Sequence, residues 1–135
     1  MTIPRFRAWV KILKTMYEAD DIMYIDFEEK EICVKALFFE KATRYNFDDI
    51  VLMQSTGFTD KNGKEIFEGD VLKVTNLSSW LEVVSFNKDK AMFVSQETKR
   101  KVEETPLYDL FNTDIFEVEI IGNIHTHPEL AEVSS

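Results

Sequence analysis

The amino-acid sequence predicts a mainly β protein, on three observations. Short runs in which every second residue is apolar recur along the chain, as in residues 5–10 and 116–120. Polar clusters typical of turns separate these runs, and the 4 Gly residues all lie from residue 57 onward. Only residues 105–111 have the spacing of a helix. Because a period of two places alternate side chains on one face of a strand, these patterns favour a sandwich, a roll or a small barrel.

The first 55 residues are expected to form a β-rich N-terminal region. Strands are predicted at residues 5–10 and 23–27, and the acidic segment 28–31 turns the chain into a partner strand at 32–37. Residues 50–53 are apolar, but their length fits either a strand or a helix segment. Alternation directs six side chains toward a core, namely Phe6, Ala8 and Val10 from the first strand and Met23, Ile25 and Phe27 from the second.

Residues 56–135 are expected to form a compact barrel domain, with the boundary near residues 55–57. The pair Asn62 and Gly63 is typical of a hairpin tip because Gly accepts a positive φ, and residues 68–70 form a second tight turn. Further strands are predicted at residues 71–74, 81–86, 91–94 and 116–120. The side chains expected to be buried in this domain are Val71, Val74, Val83, Phe93, Phe116, Val118 and Ile120.

One short helix is predicted in the C-terminal half. Thr105 is suited to cap it, and Pro106 is favoured at the first helical position. The apolar residues Leu107, Leu110 and Phe111 follow at helical spacing. This segment is therefore expected to begin at Thr105 and to pack its apolar side against the strands.

The charge of the chain excludes some classes of partner. The net charge of −9 repels phosphate groups over most of the surface, so general nucleic-acid binding and binding to anionic membranes are not expected. The basic run of Lys99, Arg100 and Lys101 is interpreted as a solvated loop. Cys33 lies within an apolar run, which indicates a buried structural thiol. With no signal-peptide pattern and no apolar run of about 18 residues, we expect a cytoplasmic protein.

Three segments together carry a resemblance to a known family. Residues 3–9 read IPRFRAW, residues 54–74 read QSTGFTDKNGKEIFEGDVLKV, and residues 118–124 read VEIIGNI, followed by PEL at residues 128–130. This set resembles the YopX family over nearly the whole chain. The long middle segment is the most specific part of the resemblance.

The resemblance implies an origin and a fold but no chemistry. It implies a protein from a tailed phage or a prophage in a bacterial genome, with a C-terminal barrel of the SH3-like type in residues 56–135. The family has no known activity and supplies no catalytic residues to carry over. The turn residues Gly57, Gly63, Gly69, Asp60 and Asp70 are suited to structural roles. We therefore expect no enzymatic activity and no catalytic, cofactor-binding or metal-binding residues.

His125 and His127 form the pair with the strongest hint of chemistry. With Thr126 and Pro128 they resemble the core of the JAMM metallopeptidase motif, in which two His and a later Asp bind zinc and an upstream Glu activates water. Ser135 falls where the motif's Ser would be, and the sequence offers no Asp after it. The chain has 2 His in all, so no third imidazole replaces that ligand. Zinc binding is therefore not expected.

Other acidic segments are interpreted as turns. Residues 60–65 superficially resemble a calcium loop, but Gly63 is the fourth residue where an EF-hand has Gly at the sixth. The carboxylate pairs at residues 20–21, 48–49 and 103–104 are adjacent in sequence. Neighbours in a strand point to opposite faces, so these pairs do not form acid–base dyads.

Three hypotheses for function follow. The first is a non-enzymatic accessory protein that acts through contacts with a host protein, a phage protein or a second copy of itself. The second is a small-barrel nucleic-acid-binding module that stacks bases on local aromatic residues such as Phe6, Trp9, Trp80 and Phe86. The third is a zinc-dependent hydrolase built around His125 and His127. The acidic charge and the incomplete zinc motif favour the first.

Overall fold

The computed structural model of the chain describes residues 3–35 and 41–131. Strands contain many more of these residues than helices do, and no long helix occurs among them, so the prediction of a mainly β fold is confirmed. The strands are β1 (Phe6–Val10), β2 (Thr15–Tyr17), β3 (Ile22–Asp26), β4 (Glu31–Val34), β5 (Thr43–Asn46), β6 (Ile50–Thr59), β7 (Glu65–Phe67), β8 (Asp70–Asn76), β9 (Ser78–Asn87), β10 (Met92–Glu97), β11 (Thr105–Pro106) and β12 (Glu117–Asn123). The helices are short 3-10 turns at Ala19–Asp21, Phe47–Asp49, Leu107–Leu110 and Pro128–Ala131.

The chain divides into two compact units, residues 1–55 and residues 56–135. The division falls within β6, between Ser55 and Thr56, with no intervening loop. The short apolar run at residues 50–53 is therefore the start of a strand of 10 residues. That each unit folds as an independent domain stays a prediction.

The N-terminal unit contains two antiparallel arrangements. β1 pairs with β2 on one side and with the first half of β6 on the other, while β3, β4 and β5 form a meander. The buried apolar side chains that pack together in this unit are Ala8, Val10, Ile32, Val34 and Ile50. Cys33 is buried as expected. The hairpin predicted around residues 28–31 is confirmed as the β3–β4 turn, and the expected extension of β4 through residues 36–37 lies outside the described residues.

The predicted inward face of β3 is wrong for two of its three residues. Met23 is 54% exposed and Phe27 is 64% exposed. The cause is a register shift between Ile22 and Tyr24, which breaks the alternation at Met23. Phe27 lies after the end of the strand, where alternation no longer applies.

The C-terminal unit is built on a curved antiparallel sheet in the order β11-β10-β9-β8-β12, consistent with the predicted small barrel. β7 pairs with the second half of β6 through the turn at residues 60–64, where Gly63 has a φ of 79°. The buried apolar side chains that pack together are Ile66, Leu72, Val74, Val84, Leu107, Leu110 and Val118. Val71, Val74 and Val118 are buried as predicted, while Phe93, Phe116 and Ile120 are half-buried against this core.

The predicted face of β9 is off by one residue. Val84 is buried, Val83 is only half-buried, and the neighbour on the inner face is Glu82. A buried carboxylate breaks the apolar pattern from which the sequence prediction was made. Ser95 and Trp80 satisfy that carboxylate by hydrogen bonds, which makes its burial tolerable.

The predicted helix is present only in part. Leu107–Leu110 form a single 3-10 turn, with Leu107 and Leu110 buried as expected. Thr105 does not cap it, because Thr105 and Pro106 form β11 and pair with Ser95 and Val94. Strand pairing takes precedence here over the local capping preference.

Candidate functional site

An apolar groove of about 500 Å³ lies on the N-terminal unit beside β3. Its apolar lining consists of Pro4, Phe6, Ile22, Tyr24, Ile25 and Phe27. Ala19 completes one wall, and Arg5 is the charged residue in the lining. A concave, mostly apolar surface of this volume is typical of binding sites in proteins.

The local sequence explains why the groove stays open. Ile22 and Ile25 pack against the buried core of the unit on one side and line the groove on the other. The register shift at Met23 leaves Tyr24 41% exposed, and Phe27, which follows the end of β3 at Asp26, is 64% exposed. The result is an exposed apolar surface whose base, formed by Ile22 and Ile25, packs against the core of the unit.

Aromatic contacts hold one wall of the groove in place. The Phe27 ring meets the Phe6 ring edge-on, with centroids 6.4 Å apart, and it meets Phe47 in the same way at 5.9 Å. Such edge-to-face pairs are each worth about 0.5–1.5 kcal/mol beyond burial. An exposed ring with two aromatic neighbours is positioned before any partner arrives, which lowers the entropy cost of binding.

The backbone edge of β3 is a less suitable contact surface than the groove. Within the described residues, β3 pairs only with β4, so one of its edges is unpaired there. The irregularity at Met23 interrupts the regular hydrogen-bonding ladder that an added strand would need. Side-chain contacts in the groove therefore offer the better means of recognition.

The segment of residues 18–29, which supplies five of the lining residues and is called the rim segment below, is acidic. Between residues 18 and 29 the sequence has no Lys or Arg, and its acidic residues are Glu18, Asp20, Asp21, Asp26, Glu28 and Glu29. Arg5 Nη2 lies 3.2 Å from Asp20 Oδ1, and both side chains are largely solvated, so this ion pair adds little stability. The pairing does balance the charge of Arg5, and the rim segment keeps a net negative charge.

His125 and His127 lie in a turn after β12 that the Asn123 side chain holds in place. Asn123 Oδ1 accepts hydrogen bonds from the backbone N–H of His125 and of Thr126, at 3.0 and 2.9 Å. The His127 ring covers Gly122, since Nδ1 is 2.7 Å from the position that a Cβ on Gly122 would occupy. Among residues 3–35 and 41–131, no three His, Cys, Asp or Glu side chains are placed to hold a metal ion. Ser135 lies outside the described residues, and the absence of zinc stays a prediction.

Asp60 holds together the turn that begins at residue 60, whose sequence superficially resembles a calcium loop. Its Oδ1 accepts hydrogen bonds from the backbone N–H of Asn62 and Lys64, each at 2.9 Å, and its Oδ2 accepts one from Ile120 at 3.0 Å. Burial alone raises the pKa of the Asp60 carboxyl, but these three bonds together with the charge of Lys64 bring the pKa below its usual value. The carboxylate therefore fastens the hairpin to β12.

A second buried carboxylate serves the C-terminal sheet. Glu82 accepts hydrogen bonds from Trp80 Nε1 at 2.7 Å and from Ser95 Oγ at 2.6 Å. The Trp80 ring also meets Phe116 edge-on at 6.2 Å. These contacts engage Trp80 in the fold, which weakens its case as a base-stacking surface.

The basic run is exposed as predicted, and one of its charges is paired. Arg100 makes two hydrogen bonds to the carboxylate of Glu97, at 2.8 and 3.0 Å. This pairing reduces the positive charge that Lys99, Arg100 and Lys101 offer to a phosphate. No helix within residues 3–35 and 41–131 is long and apolar enough to span a membrane.

A family model described as YopX protein matches residues 5–132. The chain belongs to the YopX family. No curated protein sequence matches it at a significant level. The crystal structure of protein EF1440 from Enterococcus faecalis is 25% identical, covers 98% of this chain and 100% of that chain, and has a TM-score of 0.60. The X-ray structure of yopX from Bacillus subtilis is 20% identical, covers 95% and 98% of the two chains, and has a TM-score of 0.64, which shows a shared fold.

Sequence reasoning missed the groove of this YopX-family chain. It directed Phe6 of the first predicted strand and Ile25 and Phe27 of the second toward a core, whereas all three line the groove. The available signal was the composition of residues 18–29, which consists of apolar and acidic residues without a single basic residue. A strand with one buried face can have the same composition, so only the fold shows that these residues line an open groove.

Proposed function

We propose that this YopX-family chain is a non-enzymatic accessory protein of a phage or prophage. In this proposal it acts in the bacterial cytoplasm by binding another protein chain through the apolar groove of its N-terminal unit. The observation that carries the proposal is the groove itself, in which Tyr24 remains exposed and Phe27 remains exposed although its ring contacts Phe6 and Phe47. Contiguous exposed apolar surface of this kind marks interaction sites in soluble proteins.

The distribution of polar groups supports a binding role over a catalytic one. The polar side chains that the structure buries, such as Asp60 and Glu82, accept hydrogen bonds from their own turn or sheet. Their oxygens are engaged in holding the fold. The groove itself is lined by apolar residues and by Arg5, whose charge faces Asp20. Apolar lining with little polar chemistry suits recognition of a side chain and gives no general acid or base.

Capture experiments with the tagged full chain test this proposal. The bait is incubated with lysate of the bacterium that carries the gene, before and after prophage induction, and bound proteins are identified by mass spectrometry. Phe27→Ser removes one wall of the groove, and Tyr108→Ser removes an aromatic residue that is 60% exposed elsewhere. We expect the wild type and Tyr108→Ser to retain the same chains, and Phe27→Ser to lose them.

Two results would contradict the proposal. One is a set of bound proteins that Phe27→Ser retains unchanged, which would place recognition elsewhere on the chain. The other is a transcript that does not rise with the phage structural genes on induction, which would contradict the phage origin. Thermal unfolding of both variants accompanies the capture, so that loss of binding is separated from loss of fold.

A further inference from the structure

We infer that the groove receives the turn at residues 11–14 of a second copy of this chain. This inference rests on the proposed function and names the partner of the same groove. The turn joins β1 to β2 and reads Lys11, Ile12, Leu13 and Lys14. Its chemistry is complementary to that of the groove, because two aliphatic side chains suit the apolar lining and a lysine on each side suits the acidic rim segment.

The turn presents its apolar side chains to solvent. Ile12 is 84% exposed and Leu13 is 55% exposed, so neither contributes to the core of its own unit. Two adjacent, well-exposed aliphatic residues at the tip of a hairpin have an energetic cost that burial against a partner would remove.

Hydrogen bonds hold this turn in one conformation. The Lys11 backbone N–H donates to Asp49 O at 3.1 Å, and Lys11 Nζ donates to Asp48 O at 3.0 Å. Thr15 Oγ1 donates to Leu13 O at 3.1 Å, and Val10 pairs with Thr15 across the base of the turn. A protrusion held in this way loses little conformational freedom when it binds.

The charges of the turn and of the groove are complementary. The turn carries Lys11 and Lys14, and both side chains are exposed. The rim segment 18–29 carries six acidic residues and no basic residue, and Arg5 is paired with Asp20. Opposite charges at the rim steer the two surfaces together and fix their register.

The size of the contact sets the strength to expect. The groove volume of about 500 Å³ is large enough for the Ile12 and Leu13 side chains. A single turn in one groove buries less surface than a standard interface, so weak association, with a Kd of roughly 10–500 µM, is expected. The turn and the groove are different surfaces of one unit. Two copies can therefore exchange turns in a closed dimer, or each copy can bind the next in an open series.

Sedimentation velocity of the untagged full chain tests the inference. Between about 5 and 500 µM we expect the weight-average mass to rise with concentration, because this range brackets the expected Kd. Ile12→Ser with Leu13→Ser removes the protrusion, and Phe27→Ser removes a wall of the groove, so each variant should remain monomeric. Leu77→Ser replaces a fully exposed aliphatic residue at the β8–β9 turn and serves as the control that still associates.

A mixing experiment separates this contact from any other mode of association. The Ile12→Ser, Leu13→Ser variant keeps its groove, and the Phe27→Ser variant keeps its turn. With a fluorophore on one variant, binding between the two variants can be followed directly. They should bind each other, although neither variant binds a second copy of itself. If Phe27→Ser is unstable, Tyr24→Ser serves as the groove variant, since Tyr24 also lines the groove.

Charge reversal tests the electrostatic part. Lys14→Glu should weaken association about fivefold, as expected for one ion pair at a rim, and adding Glu28→Lys should restore it. A chain that stays monomeric at every concentration overturns the inference, as does association that the turn and groove variants leave unchanged. A monomer that nevertheless loses its captured proteins on Phe27→Ser would overturn the inference alone and leave the proposed function standing.

Discussion

The two units of this chain place their polar and apolar residues in different ways. The N-terminal unit, residues 1–55, has 8 basic and 10 acidic residues and leaves Tyr24 and Phe27 exposed in one apolar groove. The C-terminal unit, residues 56–135, has 8 basic and 15 acidic residues and buries carboxylates such as Asp60, Asp70 and Glu82.

The difference indicates a division of roles. Buried carboxylates that accept several backbone hydrogen bonds fix turns and strand ends, and this is the arrangement of a rigid scaffold. Exposed aromatic residues beside side chains that pack against a buried core are typical of a contact surface. Substitutions in the C-terminal unit should therefore change stability, and substitutions around the groove should change association.

The largest expected effect on the free energy of unfolding comes from a core substitution, which is compared with a groove substitution. Leu72 is fully buried in the C-terminal core, and Leu72→Ala should cost about 2–5 kcal/mol of unfolding free energy. Phe27→Ala should cost about 1 kcal/mol, because Phe27 is mostly exposed and loses only its two ring contacts. Urea denaturation followed by tryptophan fluorescence and circular dichroism measures both. Equal costs would contradict the proposed division.

The second prediction concerns the buried carboxylate of Asp60 in the C-terminal unit. Asp60→Asn keeps the shape of the side chain but directs an amide N–H toward backbone N–H donors and removes the charge that strengthens three hydrogen bonds. We expect a loss of about 3 kcal/mol, measured by the same denaturation experiment. Asp89→Asn, at an exposed turn position, is the matched control and should change stability by less than about 0.5 kcal/mol.

A tight contact near the end of β12 gives the third prediction. A Cβ on Gly122 would lie 2.7 Å from His127 Nδ1 and 3.0 Å from Leu130 Cδ1, so Gly122→Ala should cost about 1–3 kcal/mol. Removing the ring by His127→Ala in the same chain should relieve part of that cost. A double-mutant cycle of thermal unfolding measures the coupling, and purely additive effects would show that the ring does not restrict this position.

Acid should weaken the scaffold through Asp60. The pKa of this carboxyl is lower in the folded chain than in the unfolded chain, where it is about 3.9. Its contribution to stability is therefore complete above that unfolded value and is lost as the pH falls through the lower folded value. Below about pH 4, the wild type should lose stability more steeply than Asp60→Asn, which has no carboxyl to protonate there. Parallel curves from acid unfolding of the two proteins would contradict this.

No measurable effect is expected from zinc. The chain purified without a histidine tag should contain no stoichiometric zinc by elemental analysis, and added zinc should leave its thermal midpoint unchanged. One equivalent of tightly held metal that disappears on replacing both His125 and His127 with Ala would make the hydrolase hypothesis the leading one.

The sequence identifies a good part of the C-terminal scaffold. The Asn62-Gly63 turn, the Gly69 turn and the buried positions Val71, Val74 and Val118 all agree with local rules, because hairpin geometry and alternation act over a few residues. Where a polar residue is buried the same rules fail. Glu82 occupies an inner position of β9 because Ser95 on the neighbouring strand and Trp80 two residues away satisfy it, and alternation within β9 contains no sign of the Ser95 partner.

The groove depended on tertiary structure in a different way. The sequence alone showed the acidic, apolar composition of residues 18–29, the net charge of −9 and the mainly β class, because these properties belong to short segments or to composition. Phe27 faces solvent because β3 ends at Asp26, and Met23 faces solvent because a register shift between Ile22 and Tyr24 exchanges the two faces of the strand. That shift arises from pairing between strands, so the open side of the groove was decided only when the strands came together.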